Sequence, residues 1–152
     1  MIILKKNIRN IEIEKALPEN YHGIMAVWES SVKATHDFLK PEDFEFYKSV
    51  GPDLLKNMDL YVLRSEKEIS AFMGILGKNL EMLFVSAESR GKGYGKYLLQ
   101  YAINKFGIRN VDVNEQNKQA IGFYEKFGFK IIGRSEKDSM DKNYPILHMS
   151  RE

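Results

Sequence analysis

No cysteine occurs in the 152 residues, which removes disulfides, thiolate metal sites and a cysteine nucleophile, and suits a reducing compartment such as the cytoplasm. No apolar run approaches the ~18 residues of a membrane span, and Met1-Ile2-Ile3-Leu4-Lys5-Lys6 puts its apolar run before its charge, the reverse of a secretory leader. Charge of one sign is also missing. With 23 Lys and Arg against 21 Asp and Glu the net is +2, so no global field draws nucleic acid or a membrane surface. Histidine is sparse: His22, His36 and His148 have no ligand spacing, so no metal site is expected. Repeats, low-complexity tracts and Pro/Gly/Ser-rich linkers are absent, and the 43% hydrophobic content suffices for one core. One domain over residues 1–152 is expected.

What is present is periodicity that changes along the chain. Alternation over Ile8 to Leu17 predicts a strand ended by Pro18, and Ile24, Val27, Trp28, Ser31 and Val32 recur at helical spacing. A second helix follows Pro41 through Phe44, Tyr47 and Leu54-Leu55. Three strand-like runs, Leu60 to Arg64, Ile69 to Leu76 and Leu80 to Val85, are separated by turn-sized polar segments and read as an antiparallel meander. An amphipathic helix runs from Gly93 to Gly107, then a strand over Val111 to Val113, a helix from Asn117 to Gly128, and strands at Phe129 to Gly133 and Pro145 to Met149. The order β, α, α, β, β, β, α, β, α, β, β predicts an α/β or α+β mixed sheet with about four flanking helices.

Chemistry concentrates where the meander ends. Leu83-Phe84-Val85 leads into Ser86-Ala87-Glu88-Ser89-Arg90-Gly91-Lys92-Gly93-Tyr94-Gly95-Lys96, a glycine-rich turn opening a helix. Glycines at 91, 93 and 95 let the backbone turn tightly and approach a ligand, and the first helical N–H groups point outward without partners. Arg90, Lys92 and Lys96 add positive charge at the same end, so the turn suits a diphosphate. The Walker A pattern fails for want of Gly-Lys-Ser/Thr, and the dinucleotide fingerprint lacks its third glycine and later acid.

The turn Arg90-Gly91-Lys92-Gly93-Tyr94-Gly95 resembles the cofactor signature Arg/Gln-x-x-Gly-x-Gly/Ala of the GCN5-related N-acetyltransferase (GNAT) superfamily. A second segment, Asn114 to Phe129 with Phe123-Tyr124-x-x-Phe127-Gly128-Phe129, is similar to the same superfamily, and the element order extends the likeness over essentially the whole chain. The resemblance implies a mostly antiparallel central sheet splayed between the strands near Leu83 and Val111, with acetyl-coenzyme A in the splay. It further implies that the backbone at Phe84 and Val85 pairs with the pantetheine arm, that residues Arg90 to Lys96 hold the diphosphate, and that Asn117 reaches the cofactor. The implied activity is acetyl transfer to a primary amine of a small molecule, peptide or protein, by a monomer or homodimer.

Transfer needs a neutral amine, whereas a free alkylamine has a pKa near ~10.4, and a leaving thiolate of ordinary pKa near ~8.5 gains from a proton donor. Glu81 is the candidate base; strict alternation would place it on one sheet face with Leu83 and Val85, where it reads equally as a solvated strand residue. Tyr124 is the candidate donor, because a tyrosine at this place in the family often approaches the cofactor sulfur; the alternative is a core aromatic beside Phe127. The segment Trp28 to Leu39 resembles the acceptor wall of one bacterial subgroup, with Trp28, His36, Asn114 and Asp138 as substrate-binding candidates. His36 is a second base or a helix cap, and Asp138 with Glu136 either attracts a cationic amine or lies in an exposed hairpin loop. Neither a cysteine nor a Gly-x-Ser-x-Gly elbow supplies a covalent relay, so direct attack in a ternary complex is expected. Two other readings compete: a non-catalytic acyl-CoA sensor that keeps the cradle without needing Tyr124 or Glu81, and a nucleic-acid binder using Arg90, Lys92, Lys96 and Lys126, which the near-neutral charge disfavours.

Overall fold

A computed structural model describes residues 10–152; the first residues, with the start of the strand expected from Ile8, lie outside the described residues. The first strand, β1, covers Ile11–Lys15 and pairs antiparallel with β2, Asp59–Ser65. Between them run α1, Tyr21–Thr35, and α2, Pro41–Leu55. Each has a sequence reason. Ile24, Val27, Trp28, Ser31 and Val32 form the buried stripe of α1. Pro41 starts α2 where a missing N–H costs nothing, with Glu42 and Asp43 at the positive end of the helix dipole.

The meander continues through β3, Glu68–Leu76, and β4, Asn79–Val85. It is followed by α3, Tyr94–Phe106, and β5, Asn110–Asn114. Helix α3 ends at Gly107, whose φ of 66° is the left-handed cap that a side chain resists. The chain finishes with α4, Lys118–Lys126, β6, Lys130–Ser135, and β7, Ile146–Ser150. The strands form one seven-stranded sheet in the order β1-β2-β3-β4-β5-β7-β6. Every neighbouring pair is antiparallel except β4 and β5, which α3 joins as a parallel crossover. The sheet is thus mixed, mostly antiparallel and flanked by helices, as periodicity predicts.

The parallel pair is the feature that makes the site. Strands β4 and β5 meet only at Asn79↔Asn110 and Leu80↔Val111, and then separate. The register between β3 and β4 slips at the same point: Gly74 faces Met82 while Ile75 faces Leu80, leaving Glu81 as an extra residue. Such a bulge bends and over-twists its strand, here at the place where β4 leaves β5. Gly74 accommodates the bend, since a Cβ there would lie 2.7 Å from Met58 Sδ.

Both faces of the sheet are packed. On one, Met73, Leu80, Leu98, Leu99, Val111, Tyr124 and Phe129 join a cluster made by α3 and α4. On the other, Ile24, Trp28, Leu55, Val62 and Phe72 join one made by α1 and α2. Each fully buried large side chain contributes roughly 2 kcal/mol relative to exposure.

Candidate active site

The bulge corrects one expectation from alternation. Leu80, Leu83 and Val85 pack on the α3 side whereas Met82 and Phe84 pack on the α1 side, so the even two-residue period fails across Glu81, and Glu81 does not share a face with Leu83 and Val85. Its carboxylate accepts a hydrogen bond from the Asn79 amide. The same amide nitrogen lies 3.2 Å from Asp112 Oδ2. Asp112 Oδ1 meets His148 Nδ1 at 2.7 Å, and His148 Nε2 meets Ser135 Oγ at 2.7 Å. Val111 and Val113 are in the α3-side core, so Asp112 projects from the opposite face of β5. Burial pushes the Glu81 carboxyl above its ordinary 4.5; the Asn79 hydrogen bond opposes this and the Asp112 charge reinforces it.

The glycine turn lies at the end of β4. Ser86 N–H bonds to Ser70 O at 2.9 Å, a short 3-10 turn covers Ala87–Ser89, and Ala87 N–H bonds to Ser30 Oγ of α1 at 2.9 Å. Gly91 and Gly93 have φ of 83° and 84°, values that glycine alone adopts without strain. A Cβ built on Gly91 meets nothing within 4 Å, so the turn faces open space. The first bond of α3 runs from Tyr97 N–H to Gly93 O at 3.1 Å, so the N–H groups of the preceding residues, Tyr94 to Lys96, are the orphan donors of the helix end.

Lys92 and Lys96 are exposed beside them. The Arg90 guanidinium donates to Gln119 Oε1 at 2.8 Å and so ties the turn to α4. Tyr94 differs from its neighbours: its ring is buried in the core, leaving only its backbone to meet a ligand. At Gly95 a Cβ would lie 3.7 Å from both Val85 Cγ2 and Phe123 Cζ, so β4, α3 and α4 converge here. Asn117 caps α4, its Oδ1 accepting from Ala120 N–H at 3.1 Å, which leaves its amide donors available.

Tyr124 projects from α4 into the α3-side cluster, edge-on to Phe123 at 5.2 Å and Phe129 at 5.7 Å. Burial raises its hydroxyl above the ordinary tyrosine value, so the group stays protonated and neutral.

On the α1 side of β4 lies a cavity of about 170 Å³. Trp28, His36, Asn114 and Asp138, expected on the acceptor side, all line it. Trp28 stacks on Phe44 at 5.3 Å. His36 ends α1, its N–H on Val32 O at 2.8 Å and its Nδ1 2.7 Å from Thr35 Oγ1, so it is both cap and wall. Burial lowers its pKa against the opposing charge of Asp37, which favours a neutral ring. The exposed-loop alternative holds for Glu136, which is exposed, and fails for Asp138, which lines the cavity and accepts hydrogen bonds from Tyr47 OH and from Met140 and Lys142 N–H, the latter two at 2.9 Å.

Sequence reasoning missed Tyr47 as a cavity residue, and Asn79, Asp112 and Ser135 as partners around Glu81. Tyr144 donates to Asp43 at 2.5 Å and accepts Lys40 N–H at 3.1 Å, closing the β6–β7 loop onto α2. The one signal in the sequence was Asp112 between two core valines. Its meeting with His148 depends on the β5–β7 register, in which the two residues are direct partners.

This arrangement, with a glycine-rich turn at one end of a split between parallel strands, a buried tyrosine on one side and a cavity on the other, has counterparts among known proteins. A profile for the acetyltransferase (GNAT) domain matches residues 56–131. The peptidyl-lysine N-acetyltransferase YjaB of Salmonella typhimurium is 38% identical over 140 residues, 91% of this chain and 97% of that protein. The chain belongs to the GCN5-related N-acetyltransferases. The solution structure of apo-form YjaB from Escherichia coli superposes with a TM-score of 0.84 at 37% identity, covering 92% of this chain and 96% of that one. A PaiA N-acetyltransferase from Thermoplasma acidophilum, in complex with coenzyme A, shares the fold with a TM-score of 0.72 at 23% identity, covering 93% and 99%. The chain is therefore an N-acetyltransferase and not a sensor that merely keeps the cradle. No helix among the described residues is long and apolar enough to cross a membrane.

Proposed function

We propose that this N-acetyltransferase takes its acetyl group from acetyl-CoA bound along the β4–β5 split and passes it directly to a primary amine on an alkyl chain, the chemistry a lysine side chain presents. The observation that carries this reading is the split itself. Beyond Leu80 and Val111 the two strands have no pairing with each other, so the backbone at Phe84 and Val85 has an open edge to which an amide-bearing arm can add like a strand. The open space at Gly91 and the orphan N–H groups of α3, with Lys92 and Lys96, fit the diphosphate. Asn117 and the backbone of Tyr94 and Gly95 complete the donor side, and Arg90 stiffens the turn through Gln119.

On the other side, the amine enters the cavity lined by Trp28, His36, Asn114 and Asp138. Glu81, whose carboxyl burial has made more basic, accepts the ammonium proton directly or through water. The freed lone pair attacks the thioester carbonyl carbon, the nitrogen of the tetrahedral intermediate gives its extra proton to water, and collapse breaks the carbon–sulfur bond. Tyr124 donates its proton, or a hydrogen bond, to the departing thiolate. The lysine acceptor draws support from YjaB, which is named for peptidyl-lysine acetylation.

Calorimetry with acetyl-CoA, with dephospho-coenzyme A and ATP as controls, followed by thiol release against an amine panel, tests this. Saturable acetyl-CoA binding with amine-dependent release is expected; absence of binding would overturn the cofactor assignment.

A further inference from the structure

The cavity has a built-in polarity that reaction with a bare amine does not use. Its Phe84 end adjoins the split. From there a run of rings lines the way: Phe84 to His36 at 6.3 Å, His36 to Phe38 at 5.1 Å, Phe38 to Tyr144 at 6.2 Å and Tyr144 to Tyr47 at 6.4 Å. Beyond the last ring, the Tyr47 hydroxyl holds Asp138, which is the one carboxylate among the residues lining the cavity. Three hydrogen bonds, from Tyr47 OH and the N–H groups of Met140 and Lys142, fix that carboxylate in place. The β6–β7 loop that carries it is fastened to α2 by Tyr144 on Asp43 and by Lys142, whose Nζ lies 3.5 Å from Asp43 and 4.4 Å from the Phe46 ring centre.

The reacting nitrogen must be neutral and must lie at the split. Asp138 adjoins the last ring of the run that starts at Phe84, and it places a carboxylate on a wall that is otherwise mostly apolar and aromatic. A negative charge in such a place calls for a cation, and the rings favour one as well as the methylenes that lead to it. Resting on the acetyltransferase reading above, we propose that the acceptor carries two basic groups joined by an apolar chain, one acetylated at the split and the other kept as a cation by Asp138. Asp138 is then the specificity-determining residue, and the charge count balances: one carboxylate for the one group that stays protonated. Two sources offer this chemistry, a free α,ω-diamine and a peptide lysine beside a second basic residue.

The test measures thiol release from acetyl-CoA with matched pairs, 1,5-diaminopentane against pentylamine and a Lys-Arg peptide against its Lys-Ala counterpart. The dibasic member of at least one pair should be preferred by about tenfold in kcat/KM, the effect of one charge-assisted hydrogen bond, and carried by KM. Which pair shows the preference names the source. In Asp138→Asn, which keeps an oxygen for the Met140 and Lys142 N–H groups, the ratio of dibasic to monobasic kcat/KM should collapse to near one. In Tyr47→Phe, which keeps the charge, the preference should persist. If either variant fails to fold, the salt dependence of the parent decides: the preference should shrink as ionic strength rises.

Equal use of both members of each pair, or a preference that survives Asp138→Asn or high salt, overturns the proposal while leaving the acetyltransferase intact. Thiol release with no amine at all would instead remove the acceptor reading on which it stands.

Discussion

At the scale of single residues, the proposed proton traffic is divided between two side chains whose environments make them separable. Tyr124 is enclosed by aromatic edges, and the substitution Tyr124→Phe keeps the ring, so packing should stay intact. It should slow turnover about 10²-fold with acetyl-CoA affinity nearly unchanged, as single-turnover and calorimetric measurements would read. An unaltered rate would return Tyr124 to the core. Glu81 differs because its carboxyl is pushed up by burial. A base must be deprotonated, so the parent rate should rise with pH through that elevated value, and Glu81→Gln should lose this limb, with its largest deficit above that value and below the pH at which the amine deprotonates unaided. The stability sign runs the other way. A carboxyl that binds its proton more tightly folded than unfolded contributes stability below its ordinary 4.5 and loses it as pH rises through the folded value. Glu81→Gln should therefore melt higher than the parent at neutral pH, and the gain should vanish near pH 4 in thermal scans.

At the scale of elements, the turn and the two helices it touches are the sensitive parts. Gly93 is in the left-handed region with Tyr97 3.6 Å from where a Cβ would be. Aspartate tolerates that region better than most residues, so Gly93→Asp should fold. Its charge would face the diphosphate at the helix end, and the dissociation constant of acetyl-CoA should rise roughly hundredfold in calorimetry. Gly122 is the contrasting case: it lies inside α4, and a Cβ there meets nothing within 4 Å. Gly122→Ala should raise the melting temperature by roughly 2 °C through helix propensity alone. Strand β4 shows why its role was only half readable. Its hydrophobic residues announce a strand, but the slip opposite Gly74 and Ile75 depends on how Gly74 packs against Met58 and Leu60, and those contacts are remote in sequence.

At the scale of the whole molecule, the split leaves two strands weakly held together, which a bound cofactor would offset. Strands β4 and β5 share only two residue pairs, and the elements that meet at Gly95 come from three separate parts of the chain. Acetyl-CoA spanning β4, the start of α3 and Asn117 would cross-brace them. At a hundredfold excess over its dissociation constant it should add about 2.7 kcal/mol, raising the melting temperature by roughly 5–10 °C. A scanning-fluorimetry shift of that size with acetyl-CoA and none with ATP would match the assignment; equal shifts with both would mean that the turn reads any polyphosphate.

The local rules of the chain were enough for the order and type of the elements, because hydrophobic period, proline, and glycine caps act over a few residues. They were also enough for the glycine turn, whose chemistry is written in adjacent positions from Arg90 to Lys96. What only tertiary structure decided is where strands part and which distant side chains meet. The face taken by Glu81 turned on a bulge that alternation cannot foresee. The Asp112–His148 contact turned on strand pairing between residues 36 apart in the chain, and the enclosure of Asp138 on a tyrosine from α2, 91 residues earlier. Such contacts depend on register and packing, which are properties of the assembled sheet and not of any one segment.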